Sequence, residues 1–189
     1  MPADLGDVIW PVPTARLTLR RARAEDAGAV LSYRRLPGVA DWIGAPPADF
    51  RARFAAPDRL DLLLVVERSG VLVGDLMVRV HDAWAPPHVA SQARGVQAEL
   101  GWALRPDQTG HGYATEAVEA LLSICFDDLG LRRVTASCFV ANTASWRLME
   151  RVGMRREGHQ VREALHPDGE WLDGYSYALL ADEWRRPSC

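Results

Sequence analysis

Lysine is missing from this sequence, because all 22 of its lysine or arginine positions are arginine. Several chemistries that depend on lysine are therefore excluded. A Walker A loop and a protein kinase both need a lysine on the nucleotide phosphates, and pyridoxal phosphate enzymes and Schiff-base aldolases need its amine. The arginines form no long basic run, and the net charge is −3. Since phosphate backbones require clustered cations, we do not expect nucleic acid as a partner.

Cysteine is scarce as well. Its three copies, Cys125, Cys138 and Cys189, are too few and too irregularly spaced for a disulfide framework or a paired CxxC metal site. Cys125 and Cys138 fall inside apolar patterns, so we expect buried thiols there. The five histidines show no HExxH or other ligand spacing. The sequence therefore predicts no metal site.

Long hydrophobic runs are also missing. The longest, residues 60–66, is interrupted by Asp61 and falls far short of the roughly 20 apolar residues of a membrane-spanning helix. The first residues, MPADLGDVIWPVP, lack the basic start and apolar stretch of a secretory signal. We therefore expect a cytoplasmic protein with no membrane partner.

The composition that remains, 48% hydrophobic and 25% charged over 189 residues, is typical of one globular domain. Residues 15–22 alternate as a strand does, and a helical pattern follows until Pro37-Gly38. Two apolar runs on either side of Ser69-Gly70 predict a hairpin. We predict a single α+β domain over residues 15–186, preceded by an N-terminal extension, residues 1–14.

The second half of the chain carries the clearer pattern. Residues 98–105 form a predicted strand, and residues 112–129 the clearest helix, with apolar positions at i, i+3, i+4 and i+7. RRVTASCFV then indicates a mostly buried strand, and TASWRLMERV a short helix closed by Gly153. Two final strands bracket HPDG, whose Asp-Gly indicates a hairpin turn.

The stretch GHGYATEA, residues 110–117, places two glycines at the predicted start of the long helix. Glycine lets the backbone approach a ligand, and the free N–H groups and positive dipole end of a helix start favour a phosphate or pyrophosphate. A turn that needs glycine only for its geometry is an equal alternative. A dinucleotide fold does not fit, because Thr115 stands where the third glycine of GxGxxG belongs and no acid ends the next strand.

Four segments agree in order and spacing with a known family. ELGWALRPDQTGHGYATEAVEALL, the strand after it, NTASWRLMERVGMRREG and the final DGEWLDGYSYALLADEW resemble N-acetyltransferases of the GNAT superfamily, in particular the RimJ/RimL-type branch that acetylates protein N-termini. The resemblance spans most of residues 15–184. It implies a mixed, mostly antiparallel central sheet flanked by helices, which splays open after Leu104 to hold acetyl-CoA, and acetyl transfer to a primary amine.

The resemblance also implies which residues hold acetyl-CoA. The family's phosphate-loop pattern, Gln or Arg followed by xxGx and Gly or Ala, falls on Thr109, Gly112 and Ala114, and Thr109 departs from it. Asn142 and Ser145 match the family's NxxS, where the asparagine lies near the pantetheine arm; a plain helix N-cap is the alternative for Asn142. The residues expected to contact acetyl-CoA are Trp102, Leu104, Thr109, Gly110, His111, Gly112, Tyr113, Ala114, Thr115, Asn142 and Ser145.

Acetyl transfer requires a neutral amine, a partner for the thioester oxygen and a proton for the departing thiolate. By resemblance, Glu99 occupies a general-base position, although a strand carboxylate paired to an arginine is an equal reading. Glu163 is the second candidate base. Met149 stands where much of the superfamily has a tyrosine acid, and the RimJ/RimL-type resemblance points instead to Ser145, as stabiliser of the sulfur first and acid second. The backbone N–H of Leu104 is the implied oxyanion partner.

Acceptor recognition is expected in the segments with the least family pattern, residues 39–59 and 81–97, which carry Trp42 and Trp84. Buried core aromatics are the alternative for these tryptophans. We expect a peptide or protein α-amine or a small amine as acceptor. An aminoglycoside or other xenobiotic acetyltransferase and a non-catalytic acyl-CoA-binding sensor stay open as alternatives, and the resemblance also allows a homodimer.

Overall fold

The computed structural model describes residues 4–184 and forms one mixed sheet of eight strands, in the order β1-β2-β3-β4-β5-β6-β8-β7. Neighbouring strands are antiparallel except β5 and β6, which are parallel. The predicted α+β fold with a mixed, mostly antiparallel sheet is confirmed. The strands are β1 (Val12–Pro13), β2 (Thr18–Arg21), β3 (Leu63–Arg68), β4 (Val71–His81), β5 (Gln97–Leu104), β6 (Arg133–Phe139), β7 (Arg155–Leu165) and β8 (Trp171–Leu180).

Helices pack on both faces of the sheet. The helix predicted over residues 112–129 is α-helical from Tyr113 to Ser123 and continues as a π-helical turn, Ile124–Asp128, whose first three residues are all buried. Short 3-10 segments cover Leu5–Asp7, Ala24–Asp26, Pro87–Ala93 and Pro106–Gln108. The α-helices are α1 (Ala27–Arg34), α2 (Ala40–Ile43), α3 (Phe50–Phe54), α4 (Pro57–Leu60), α5 (Tyr113–Ser123), α6 (Thr143–Arg151) and α7 (Ala181–Trp184).

Alternate residues of the central strands enter two cores, one on each face of the sheet. Leu64 and Val66 of β3 belong to the core that holds α5 and α6, whereas Leu63 and Val65 belong to the core that holds α1 and α3. A strand buried on both faces reads as a continuous apolar run. Burying one such leucine or valine side chain contributes roughly 1.5–3 kcal/mol, so the central strands contribute strongly to the stability of the sheet.

The described part of the predicted N-terminal extension belongs to the same packed unit. β1 pairs with β2 through Val12 and Pro13, and Leu5 and Val8 are buried in the core beside α5. A two-residue edge strand has too few positions to show a period, which is why the pattern did not reveal it. The domain limit at residue 186 and Cys189 lie outside the described residues. No helix within residues 4–184 is both long and apolar enough to cross a membrane.

Candidate active site

The parallel pair β5–β6 opens into a gap in the middle of the sheet. Residues 97–99 of β5 pair with residues 133–135 of β6, and the pairing then stops. Beyond this point β5 stays on β4 as far as Leu104, and β6 stays on β8 as far as Phe139. The sheet therefore splays after Glu99 and not, as predicted, after Leu104. The apolar pattern of β5 reflects which of its side chains are buried in the two cores. It does not show where the hydrogen bonds between β5 and β6 end.

The backbone of β5 turns unpaired groups toward this gap. The Arg105 N–H donates to the Val73 carbonyl at 2.9 Å, so the neighbouring pair of Gly74 and Leu104 is of the non-hydrogen-bonded kind. In such a pair each N–H points away from the partner strand. The Leu104 N–H, the predicted oxyanion partner, therefore points to the edge of β5 that β6 has left.

Three connected cavities follow the gap. A loop end of about 870 Å³ lies beside the glycine loop, a neck of about 190 Å³ comes next, and a pocket end of about 530 Å³ lies beside β7 and β8. The loop end and the neck share Leu104, Thr109, Ala114, Ala144 and Leu148. The neck and the pocket end share Trp42, Ile43, Trp102, Asn142 and Ser145. The shared walls make one cleft through the split sheet.

The loop that leads into α5 contains Gly110 and Gly112, both at φ +79°. Glycine adopts this left-handed region without the steric cost that a Cβ brings. Among residues 4–184, no backbone carbonyl accepts from the N–H groups of Gly110, His111 or Gly112, and no side chain caps α5. The first N–H groups of a helix are unpaired by its geometry. Free donors at the positive end of an 11-residue helix make a site suited to an anion.

Arginines line the loop end. Arg16, Arg147 and Arg151 lie there together with the carboxylates of Glu116 and Glu119. Glu116 is already paired, because the Arg16 Nε lies 2.7 Å from its Oε2. Three arginines against two carboxylates leave one surplus positive charge among the lining residues, so these side chains and the free N–H groups of the loop both favour a phosphate group.

Asn142 and Ser145 meet at the start of α6. The Asn142 Oδ1 accepts from the Ser145 N–H at 3.2 Å, which is the N-cap contact, and both residues also line the neck and the pocket end. Burial raises the pKa of the Cys138 thiol, and a hydrogen bond with Ser145 partly offsets that rise. Cys138, predicted as a buried thiol, is half-buried and borders the cleft, whereas Met149 is fully buried in the core.

A bulge in β7 brings Glu163 to the pocket end. The register of β7 on β8 shifts within residues 160–164, and Arg162 takes φ +48°. Asp173 holds the bulge, since its Oδ1 accepts from the Arg162 N–H at 2.9 Å and its Oδ2 lies 2.7 Å from His159 Nε2. These hydrogen bonds lower the pKa of Asp173, which keeps it charged. Among the residues that line the pocket end, Glu163 supplies the one carboxylate.

Aromatic side chains wall the pocket end. The ring centroids of Trp42 and Phe139 are 6.4 Å apart, and His166 packs edge-on against both at 5.9 and 5.3 Å. These contacts join α2, the end of β6 and the β7–β8 turn. Tyr175 of β8 lines the same pocket. The pocket end thus combines aromatic walls with a single carboxylate, Glu163, and several neutral polar groups.

The structure brings most of the predicted site residues to this cleft. Every residue predicted to contact acetyl-CoA lines it except His111, whose ring stacks on Tyr113 with the centroids 5.4 Å apart. Of the other predicted residues, Trp42 and Glu163 line the pocket end. Glu99 lines none of the three cavities and is paired with Arg79 on β4. Trp84 lines none of them either and is 91% exposed.

Sequence reasoning missed several residues of the cleft. Phe139, Gln160 and Tyr175 line the pocket end, and Arg16 and Arg147 line the loop end. The family-like final segment, which contains Tyr175, was the available signal for that residue. The partners of Arg16 lie up to 100 positions away along the chain, so no local pattern marks it. Within residues 4–184, no three His, Cys, Asp or Glu side chains come close enough to share a metal ion.

Residues 16–155 match a family model described as an acetyltransferase (GNAT) domain. Two curated relatives are similar to this chain. The uncharacterized N-acetyltransferase YnaD of Bacillus subtilis is 41% identical over 86 residues, 46% of this chain and 50% of that protein. The uncharacterized N-acetyltransferase p20 of Bacillus licheniformis is 27% identical over 184 residues, 90% of this chain and 96% of that protein. The chain thus spans about half the length of YnaD and nearly all of p20.

Two solved structures are similar over most of the chain. A GNAT-family acetyltransferase from Bacillus anthracis has a TM-score of 0.76 and 30% identity, covering 91% of this chain and 99% of that one. RimJ from Mycobacterium smegmatis, in complex with CoA-disulfide, has a TM-score of 0.71 and 27% identity, covering 90% of this chain and 84% of that one.

Proposed function

This chain belongs to the GNAT family of acetyltransferases, and from that premise we propose that it transfers the acetyl group of acetyl-CoA to a primary amine. The acceptor we propose is a peptide or protein α-amine, or a small monoamine. The observation that carries the proposal is the cleft through the split between β5 and β6, which runs from the glycine loop to Glu163. The similarity to a RimJ bound to CoA-disulfide supports coenzyme A as its ligand.

The residues of the cleft fit coenzyme A along its length. The free N–H groups of the glycine loop and the nearby arginines suit the pyrophosphate. The neck suits the pantetheine arm, because Asn142 supplies an amide and β5 supplies unpaired backbone groups. Acetyl-CoA, when bound, supplies the thioester whose acetyl group is transferred. The Leu104 N–H would stabilise the negative charge that develops on the thioester oxygen, and the Ser145 hydroxyl would hydrogen-bond the sulfur.

The charge of the pocket end favours an acceptor with one cation. Glu163 is the one carboxylate among its lining residues, and its other walls are aromatic, aliphatic or neutral polar. A polyamine or an aminoglycoside carries several positive charges, which a single carboxylate leaves uncompensated. At about pH 7.4 an α-amine with a pKa near 8 costs under about 1 kcal/mol to deprotonate, against roughly 4 kcal/mol for a lysine-type amine. An α-amine therefore needs only a weak base.

Glu163 is the carboxylate that we assign to the acceptor amine. It would hold the ammonium form and take up its proton, directly or through a water molecule. Glu99 is less suited to this role, because it is paired with Arg79 and lines none of the cavities. Ser145 would act mainly by stabilising the departing sulfur, since a hydroxyl has a pKa far above that of a thiol.

Calorimetry with CoA and acetyl-CoA, followed by thiol release with a panel of amines, tests the proposal. The panel contains N-terminal peptides, monoamines, polyamines and aminoglycosides. We expect CoA binding and thiol release with peptides or monoamines. CoA binding without thiol release from any amine would favour the acyl-CoA sensor, and turnover restricted to aminoglycosides would favour the xenobiotic enzyme.

Three carboxamide variants separate the candidate carboxylates. Glu163→Gln should lower kcat by about 10²–10⁴-fold, the usual contribution of a general base, with unchanged CoA affinity. Glu170→Gln, on the same hairpin but outside the lining residues, is the matched control and should leave the rate unchanged. Glu99→Gln should also retain activity. A large loss in Glu99→Gln together with a normal Glu163→Gln would reverse our assignment.

A further inference from the structure

Thr14 and Arg16 tie the N-terminal segment to the first turn of α5 through Glu116. The Thr14 Oγ1 and the Arg16 N–H donate to Glu116 Oε1 at 2.6 and 2.7 Å, and the Arg16 Nε donates to Oε2 at 2.7 Å. Burial alone would raise the pKa of Glu116, but these hydrogen bonds lower it, so the carboxylate is ionised at neutral pH. We call Thr14, Arg16 and Glu116 the latch.

Arg16 also reaches the glycine loop. Its Nη1 donates to the His111 carbonyl at 2.9 Å, and its guanidinium carbon lies 4.8 Å from the centroid of the Tyr113 ring. A Cβ placed on Gly112 would come within 3.4 Å of the Arg16 Nη2. The guanidinium therefore contacts the loop on both sides of Gly112.

The His111 carbonyl and the Gly112 N–H belong to the same planar peptide. In a trans peptide these two groups point in opposite directions, so a hydrogen bond that fixes the carbonyl also fixes the direction of the N–H. Without such a contact, this peptide can rotate more freely, because glycine at position 112 allows both negative and positive φ. The latch removes this freedom before any ligand arrives.

We propose that the latch positions the Gly112 N–H for the pyrophosphate of coenzyme A, with Arg16 and Thr14 as positioning residues. This inference rests on the proposed function, because it assigns the loop end to coenzyme A. Preorganisation of a loop strengthens binding by reducing the entropy lost when the ligand orders it. The latch therefore acts on the part of the ligand that carries the phosphates and leaves the pantetheine arm unaffected.

Thr14 provides the sharpest test, because it lines no part of the loop end and contacts the latch through Glu116. Its Oγ1 also accepts from the Leu17 N–H at 2.9 Å, a contact that a serine hydroxyl retains. The dissociation constants of CoA and dephospho-CoA are measured by calorimetry, and that of pantetheine, which has no pyrophosphate, by ligand-observed NMR. Thr14→Ala and Arg16→Met should each weaken both pyrophosphate ligands by about tenfold or more, comparable to one charged hydrogen bond. Pantetheine binding should not change, and Thr14→Ser should restore CoA affinity.

Arg21→Met is the matched control, because Arg21 pairs with the exposed Asp61 at 3.1 Å and lines none of the three cavities. It should bind all three ligands as the wild type does. Unaltered CoA affinity in Thr14→Ala, or an equal loss of pantetheine, would overturn the latch while leaving the proposed function intact. A wild-type protein that binds no CoA would instead overturn the proposed function. If Arg16→Met does not fold, the CoA affinities of Thr14→Ala and Thr14→Ser test the latch without it.

Discussion

Replacing Gly112 by alanine separates the backbone strain of the loop from its contribution to ligand binding. Gly112 has φ +79°, a region that costs an alanine about 1–2 kcal/mol. Gly130 has φ +63°, nothing within 4 Å of a Cβ, and a place outside the cleft. Both Gly→Ala variants should therefore lose a similar free energy of unfolding, which for a chain of this size lowers Tm by about 2–8 °C.

Coenzyme A affinity should distinguish the two variants. The positive φ of Gly112 disfavours alanine, so we expect the loop of Gly112→Ala to relax and to move the N–H of residue 112 away from the ligand. Loss of one charged hydrogen bond costs about 1.5–3 kcal/mol, which corresponds to a roughly 10- to 150-fold higher dissociation constant. Calorimetry with CoA, alongside thermal unfolding of both variants, measures the two effects. Equal CoA affinity in Gly112→Ala and Gly130→Ala would refute the role of the loop.

Three further predictions concern other groups. Asp75 is 1% exposed and accepts hydrogen bonds from the Tyr33 hydroxyl and the Arg34 guanidinium. Asp75→Ala should therefore lower the free energy of unfolding, measured in urea titrations, by about 3–5 kcal/mol. A loss below about 1 kcal/mol would mean that the Asp75–Arg34 ion pair behaves as an exposed one. Hydrogen bonds from two arginines lower the pKa of Glu157 from 4.5 to about 2, so its stabilising effect is complete above pH 4.5 and is lost as the pH falls toward 2. The stability difference between the wild type and Glu157→Gln should therefore shrink over that range, and a constant difference would contradict the shift. Because burial raises the pKa of Cys138, iodoacetamide should modify it more slowly than an exposed thiol. CoA should slow the reaction further, and peptide mass spectrometry that finds equal labelling with and without CoA would place the ligand elsewhere.

Much of the fold was predictable because its signals are local. Ser69 and Gly70 have φ +50° and +77°, as the tight turn between β3 and β4 requires, and a turn followed by apolar runs is visible without any partner. The helix after Gly112 was equally clear from its spacing. The family pattern also identified the loop and the start of α6, since both are short continuous stretches.

The candidate site was predictable only in part, as its carboxylates illustrate. Glu99 and Glu163 both lie on strands, and the residues around each of them in the sequence do not show which is the better candidate base. Cross-strand register places Glu99 opposite Arg79, whereas a bulge held by Asp173 brings Glu163 to the pocket end. A one-residue change of register would reverse which face each side chain occupies.

The sequence by itself determined the longer helices and strands of this protein, the glycine loop and the absence of lysine-dependent chemistry. These depend on residue identity and on spacings of a few positions. Only the tertiary structure decided where β6 leaves β5, which carboxylate reaches the cleft and how Arg16 meets a loop 95 positions further along the chain. The physical reason is that alternation along a strand sets which face of the sheet a side chain occupies. Its neighbours on that face depend on the order and register of strands that are distant in sequence, and packing of the whole core determines that order and register.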